Sequence, residues 1–151
     1  MDALERIYID DTAYGEFGTR NMVERIKEDC PNVELIIIDY IQLLGASSIQ
    51  WIYDAFPDAA VLVLGEVSRA VEERESHIVK YNDINNIEQI GQYFETIFSV
   101  YRDDYYNFFE KPNNLITIYN LKSRFQRFSY TFIMKEEIID EYEPPMEDIN
   151  E

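Results

Sequence analysis

Two patterns alternate along the first two thirds of the chain. Short unbroken apolar runs are separated by stretches with helical spacing. Residues 6–10, Arg6-Ile7-Tyr8-Ile9-Asp10, predict a short strand, broken by Asp11-Thr12, Gly15 and Gly18. Thr19 is a candidate cap for a helix over 20–29, whose apolar positions Met22, Val23 and Ile26 share one face before Cys30-Pro31 ends it. Residues 34–39, Glu34-Leu35-Ile36-Ile37-Ile38-Asp39, hold consecutive apolar side chains, which predicts a strand buried on both faces. A second helix opens at Ser47 or Ser48, holds Ile49, Trp51, Ile52, Ala55 and Phe56, and stops at Pro57. Residues 60–64, Ala60-Val61-Leu62-Val63-Leu64, are another buried-type strand.

The pattern then loosens. The stretch 66–90 is polar, with a helical turn predicted over 69–74, and a short helix follows over 87–93. Strands are predicted over 96–101, 115–119 and 129–134, the last two as an antiparallel hairpin with a wide basic tip at Lys122, Arg124 and Arg127. The expected fold is α/β, with a mainly parallel sheet and a C-terminal antiparallel hairpin. Residues 1–135 read as one domain. Residues 136–151 read as an acidic, frayed tail: from Lys135 to Glu151 there are eight acids and one lysine, with Pro144-Pro145.

Composition sharpens this. The chain has 151 residues, one domain's worth, and 46% are hydrophobic and 15% aromatic, which excludes a disordered chain. No apolar run approaches a membrane span, and a single cysteine, Cys30, points to a reducing cytoplasm. Thirteen basic residues against 30 acidic ones give a net charge of −17, which repels phosphate backbones, so nucleic acid is not an expected partner of this chain alone.

Five segments in order resemble the C-terminal, RecA-like motor domain of DnaB-type replicative DNA helicases, over about residues 5–135. They are Ile7-Tyr8-Ile9-Asp10-Asp11-Thr12, similar to the strand before the Walker B unit; Leu35-Ile36-Ile37-Ile38-Asp39-Tyr40-Ile41-Gln42-Leu43, similar to Walker B and its tail; Glu66-Val67-Ser68-Arg69-Ala70-Val71-Glu72-Glu73-Arg74; Tyr101-Arg102-Asp103-Asp104-Tyr105-Tyr106-Asn107; and Leu121-Lys122-Ser123-Arg124, similar to the finger hairpin. The resemblance implies a truncated RecA-like three-layer domain. It implies that Asp39 would steady Mg²⁺ beside nucleotide phosphates, that Glu66 stands where the family senses the γ-phosphate with glutamine, and that Lys122 and Arg124 would reach a neighbour's γ-phosphate.

The departures matter as much. No G-x-x-x-x-G-K-[ST] occurs; the glycines are Gly15, Gly18, Gly45, Gly65 and Gly91, and none precedes a lysine. In the family the P-loop strand and the strand bearing the catalytic glutamate lie upstream of the matched region, so the match is to the second half only. A carboxylate at Glu66 repels a phosphate. Only about 15 residues, Leu43 to Pro57, follow Walker B before the next strand, too few for the family's DNA-binding loop and long helix. Phe125-Gln126-Arg127-Phe128 replaces the family's Gly-Pro-x-Gly tip.

Other candidates fit plainer roles. His77 lacks a Cys or His partner at metal spacing. Asp103 and Asp104 would point to opposite faces of a strand. The aromatics Tyr101, Tyr105, Tyr106, Phe108 and Phe109 fit packing better than base stacking in so acidic a chain. Three functions are carried forward: a degenerate or split helicase domain in the replication setting, inactive alone and acting by protein binding; a subunit of an active ATP-dependent DNA helicase whose P-loop half is another chain; and an acidic interaction or inhibitor protein that kept only the fold. Expected partners are a second copy, a replicative helicase protomer or a missing half-domain. ATP and Mg²⁺ are expected only if a partner supplies the P-loop.

Overall fold

Helix α1 spans Gly15–Asp29, so it begins a full turn before the Arg20 start that the sequence predicts. Thr19 is not its cap. Its hydroxyl donates back to the Gly15 carbonyl at 2.8 Å inside the helix, a bond that Thr makes at the expense of capping. The structure, a computed structural model, describes residues 7–30, 32–45, 47–106, 113–124, 129–135 and 138–141. The chain divides into two units, residues 1–68 with 82–94, and residues 69–81 with 95–151.

In the first unit, strand β1 is Leu35–Ile38, helix α2 is Ser48–Ala55 and strand β2 is Ala60–Val63. β1 and β2 pair directly and in parallel, Leu35 opposite Ala60 through Ile38 opposite Val63. One face of this pair is covered: Ile38 is buried, and Ile49 and Ile52 on α2 are closed off, at 0% and 1% exposure. Arg20 of α1 lies over the Trp51 ring of α2 at 4.0 Å, a cation–π contact that fastens the two helices. Gly45, at φ +89°, supplies the left-handed residue for the turn into α2, where its carbonyl accepts the Ser48 N–H. Phe56 closes α2 before Pro57, its N–H donating to Ile52.

Two expectations fail here. The strand over 6–10 does not form among its described residues. Ile7 and Ile9 are 61% and 84% exposed, and no described strand lies beside them to share hydrogen bonds. The segment is held through Asp10 instead. Its carboxylate accepts the Thr12 N–H at 2.9 Å and hydroxyl at 2.8 Å, and pairs with Arg25 on α1. Nor are β1 and β2 buried on both faces. Exposure alternates along them, so one side is covered and the other is open.

The return segment closes this unit. Val67 bridges Ile84, and short helix α3, Ile87–Ile90, buries Ile87 and Ile90 before a 3₁₀ turn over Gly91–Tyr93.

In the second unit, Val71 is buried in a 3₁₀ turn over Arg69–Val71. Strands β3 (Ile97–Arg102), β4 (Leu115–Lys122), β5 (Ser129–Lys135) and β6 (Ile138–Glu141) form an antiparallel sheet in that order. The β4–β5 pair is the hairpin foreseen from sequence, and the sheet extends it on both sides. β6 falls in the segment read as a frayed tail. Its pairing to β5 gives its backbone partners there; residues 142–151 lie outside the described residues. Asp103 and Asp104 are not on a strand. They open the short helix α4, Asp103–Tyr106, where the chain turns out of the sheet.

Candidate functional site

Parallel strands present their carboxyl ends as the place where α/β sheets hold ligands. Here Asp39 follows directly after β1 and is exposed, and the Asp39–Tyr40 peptide is cis. The Leu64 N–H donates to Ile38 at 2.9 Å, and the Ile41 N–H donates back to Leu64 at 3.0 Å, so the two strand exits are laced together. Gln42 sits in the next 3₁₀ turn. Its amide oxygen accepts the Glu66 N–H at 3.1 Å, while its amide nitrogen donates to the carbonyls of Glu66 and Asn85, each at 3.4 Å. The Asn85 N–H donates to the Glu66 carbonyl at 3.0 Å.

This lacing fixes Glu66 beside Tyr40. The Glu66 charge, then partial desolvation, then a hydrogen bond between the two side chains hold the Tyr40 phenol above its ordinary value, with smaller pushes from Tyr14 and Asp39. Asp39, Tyr40 and Glu66 thus share one acidic corner. Two exposed carboxylates and a protonated phenol there favour a cation or a donor group, and oppose a phosphate. Asp39 offers a Mg²⁺ ion one carboxylate, and among the described residues no three His, Cys, Asp or Glu side chains gather to hold a metal. Sequence reading missed Tyr40, Gln42 and Asn85 as parts of this corner. The one available signal was Gln42, a polar residue between Ile41 and Leu43.

Lys122 and Arg124 lie in the second unit. Lys122 ends β4 opposite Ile97, where the ladder slips by one residue. Arg124 pairs with Glu95, both largely exposed. Arg127 and the tip over 125–128 lie outside the described residues, as do Phe108 and Phe109. The remaining aromatics form a stack. His77 lies flat on Tyr106 at 4.1 Å, Tyr106 is parallel to Tyr101 at 5.7 Å, and Tyr105 and Tyr119 approach edge-on. The Tyr106 hydroxyl donates to Glu72 at 3.2 Å, and the Tyr101 hydroxyl to Asp103 at 3.3 Å. Burial first, then those carboxylates, raise both phenols above their ordinary range. Arg102 and Asp104 pair through two nitrogens, and Asp103 accepts from the Tyr101 hydroxyl and, at 2.9 Å, from the Asn113 amide, so both acids tie down the local structure.

Comparison with known proteins follows the same outline. The fold is that of the RecA-like ATPase domains of helicases: the chain superposes on a solved ATPase domain with a TM-score of 0.66 at 21% identity, covering 83% of this chain and 51% of that one. The particular resemblance is to DnaB-type replicative helicases. A DnaB-like replicative helicase, solved with its interactions with primase, matches at a TM-score of 0.70 and 20% identity over 89% of this chain and 36% of its own. In sequence the chain is 31% identical over 134 residues to the replicative DNA helicase DnaB of Geobacillus stearothermophilus, and 30% identical over 139 residues to the replicative DNA helicase DnaC of Bacillus subtilis (strain 168). Each alignment takes in 78% of this chain, which spans 29% of the length of these relatives. No family model matches the chain. Among the described residues no helix is long and apolar enough to cross a membrane.

Proposed function

We propose that this chain is a degenerate DnaB-type helicase domain of the replication setting, inactive as an ATPase by itself, which acts in the cytoplasm by binding protein. The observation that carries this reading is the corner at the strand exits. Phosphoryl transfer is catalysed by positive groups placed around the phosphates. The 151 residues contain no P-loop, and the corner presents Asp39 and Glu66, neither of them ion-paired among the described residues. Arg124, which the resemblance implies as a finger, is engaged with Glu95.

The reading in which another chain supplies the P-loop draws on one observation, the bare apolar side of the β1–β2 pair. The two readings separate in one experiment. Purified chain is assayed for binding of a fluorescent ATP analogue and for phosphate release, alone and with a DnaB-type helicase, and the same helicase is tested for retention on the immobilised chain. The expected result is retention of the helicase with no nucleotide bound and no phosphate released by the chain alone. ATP hydrolysis by the chain that Asp39→Ala abolishes overturns the proposal, and so does a failure to retain the helicase.

A further inference from the structure

The open side of the β1–β2 pair carries Leu35, Ile37, Leu62 and Leu64, at 55%, 60%, 53% and 46% exposure, with Ala60 beside Leu35. No polar side chain interrupts it. Acids bound it at both ends: Glu34 and Asp58 stand before the two strands, Asp39 and Glu66 after them, and all four are exposed. None of the four forms an ion pair among the described residues. The imbalance is local as well as global, since residues 28–68 contain seven acids and no lysine or arginine.

We infer that this face is a docking surface for one amphipathic helix of a partner protein, with an aliphatic stripe and lysine or arginine at both ends of it. Size argues for a helix. Two strands with their side chains make a strip about 10 Å wide and, at about 3.3 Å per residue, some 16 Å long, which matches about three turns of a helix about 10 Å across. Such a strip is far short of the roughly 800 Å² per partner that a stable dimer of globular chains buries. Charge argues for a basic helix. A second copy laid on this face by two-fold symmetry would bring Glu34, Asp39, Asp58 and Glu66 against one another, in a chain already at −17. Lysine or arginine flanks would neutralise both ends and speed the encounter. This assignment names a partner class for the binding role proposed above and rests on that role. Its test uses no helicase, so each can fail without the other.

The probes are three synthetic peptides of about 18 residues, long enough to hold helical structure. One carries leucine at helical spacing with lysine flanks, the second the same stripe with glutamate flanks, the third the first composition scrambled to remove the stripe. Binding to the full chain is read by fluorescence anisotropy. The lysine-flanked stripe is expected to bind at least about tenfold more tightly than either control, and to weaken with salt. Ile37→Ser with Leu62→Ser is expected to remove at least about tenfold of that affinity, since these side chains supply the apolar contact. Glu34→Lys with Asp58→Lys, at exposed positions that leave the covered face intact, should weaken the same peptide. Equal binding of the scrambled peptide, or unchanged binding in both double variants, overturns the inference. A chain that dimerises in solution and loses the dimer with Ile37→Ser and Leu62→Ser also overturns it, because the face then belongs to a second copy.

Discussion

The two units spend their apolar residues differently. In the first, nine apolar side chains are buried among the described residues: Val23, Ile38, Ile41, Leu44, Ile49, Ile52 and Phe56, with Ile87 and Ile90 on α3. In the second, Val71 is the one buried hydrophobic side chain among the described residues, and along β4 every residue but the buried Asn120 is half-buried. Its order comes from ladder hydrogen bonds and from the ring stack of His77, Tyr101 and Tyr106. A dry aliphatic layer gains from every methylene it covers and is intolerant of voids. A half-wet sheet gains a little at each pair and loses a little when one is removed.

The largest expected effect is therefore in the first unit. Ile52 is 1% exposed on the covered side of α2. Ile52→Ala should cost about 3 kcal/mol, as buried Ile-to-Ala changes do. Urea unfolding measures it, and hydrogen exchange should show the lost protection in α1, α2, β1 and β2. A cost under about 1 kcal/mol would mean that this layer is as loose as the sheet of the second unit, and the contrast would be gone.

The smaller effect is in the ring stack. Tyr106→Leu keeps apolar volume but removes the stacking on His77 and Tyr101 and the bond to Glu72. The expected cost is about 1.5–2 kcal/mol, from two aromatic contacts at the low end of their usual worth and one hydrogen bond. Protection in β3 and β4 is the readout. A loss as large as that of Ile52→Ala would make the stack a true core.

The same contrast decides what the sequence disclosed. Ile49, Trp51, Ile52 and Phe56 between Ser48 and Pro57 announce α2, and the helix lies where spacing puts it. The two apolar runs announce β1 and β2, but an unbroken run reports the capacity for burial on both sides rather than its realisation. Leu35, Ile37 and Leu62 keep that capacity unused. Ile7 and Ile9 show the same limit, because strand propensity without a neighbouring strand leaves an extended segment. Of the candidate site, Asp39 was legible as an acid closing an apolar run, and Glu66 only through the helicase resemblance. Their common corner was not, since it depends on Gln42 and Asn85, which are 43 residues apart and meet only through backbone carbonyls and an amide. Asp103 and Asp104 misled for a different reason: they lie just past the strand end at Arg102, where a short helical turn rather than strand alternation sets their positions.

The smallest expected effect concerns a segment of the first unit that is held by an ion pair rather than by aliphatic cover. Asp10 anchors residues 7–14 to α1 through Arg25 and Thr12. The Arg25 hydrogen bond, reinforced by the Thr12 N–H and hydroxyl and opposed by desolvation, brings its carboxyl from 3.8 down to about 2. A carboxyl that is more acidic in the folded chain stabilises the fold above its unfolded value and loses that contribution as pH falls through the folded one. The contribution is thus complete above about pH 5, about half gone near pH 3, and absent below about pH 1. Arg25 is 43% exposed, so solvent screening reduces the effect to about 1 kcal/mol or less. Urea unfolding of the wild-type chain and of Asp10→Asn, run in parallel from pH 7 to pH 3, isolates it, because the other carboxylates titrate alike in both and urea adds no salt. The wild-type advantage should shrink steadily toward acid and should fall with added salt at pH 7. An advantage independent of pH would mean that ionisation of Asp10 contributes nothing to the fold, and this segment would no longer count as held by charge.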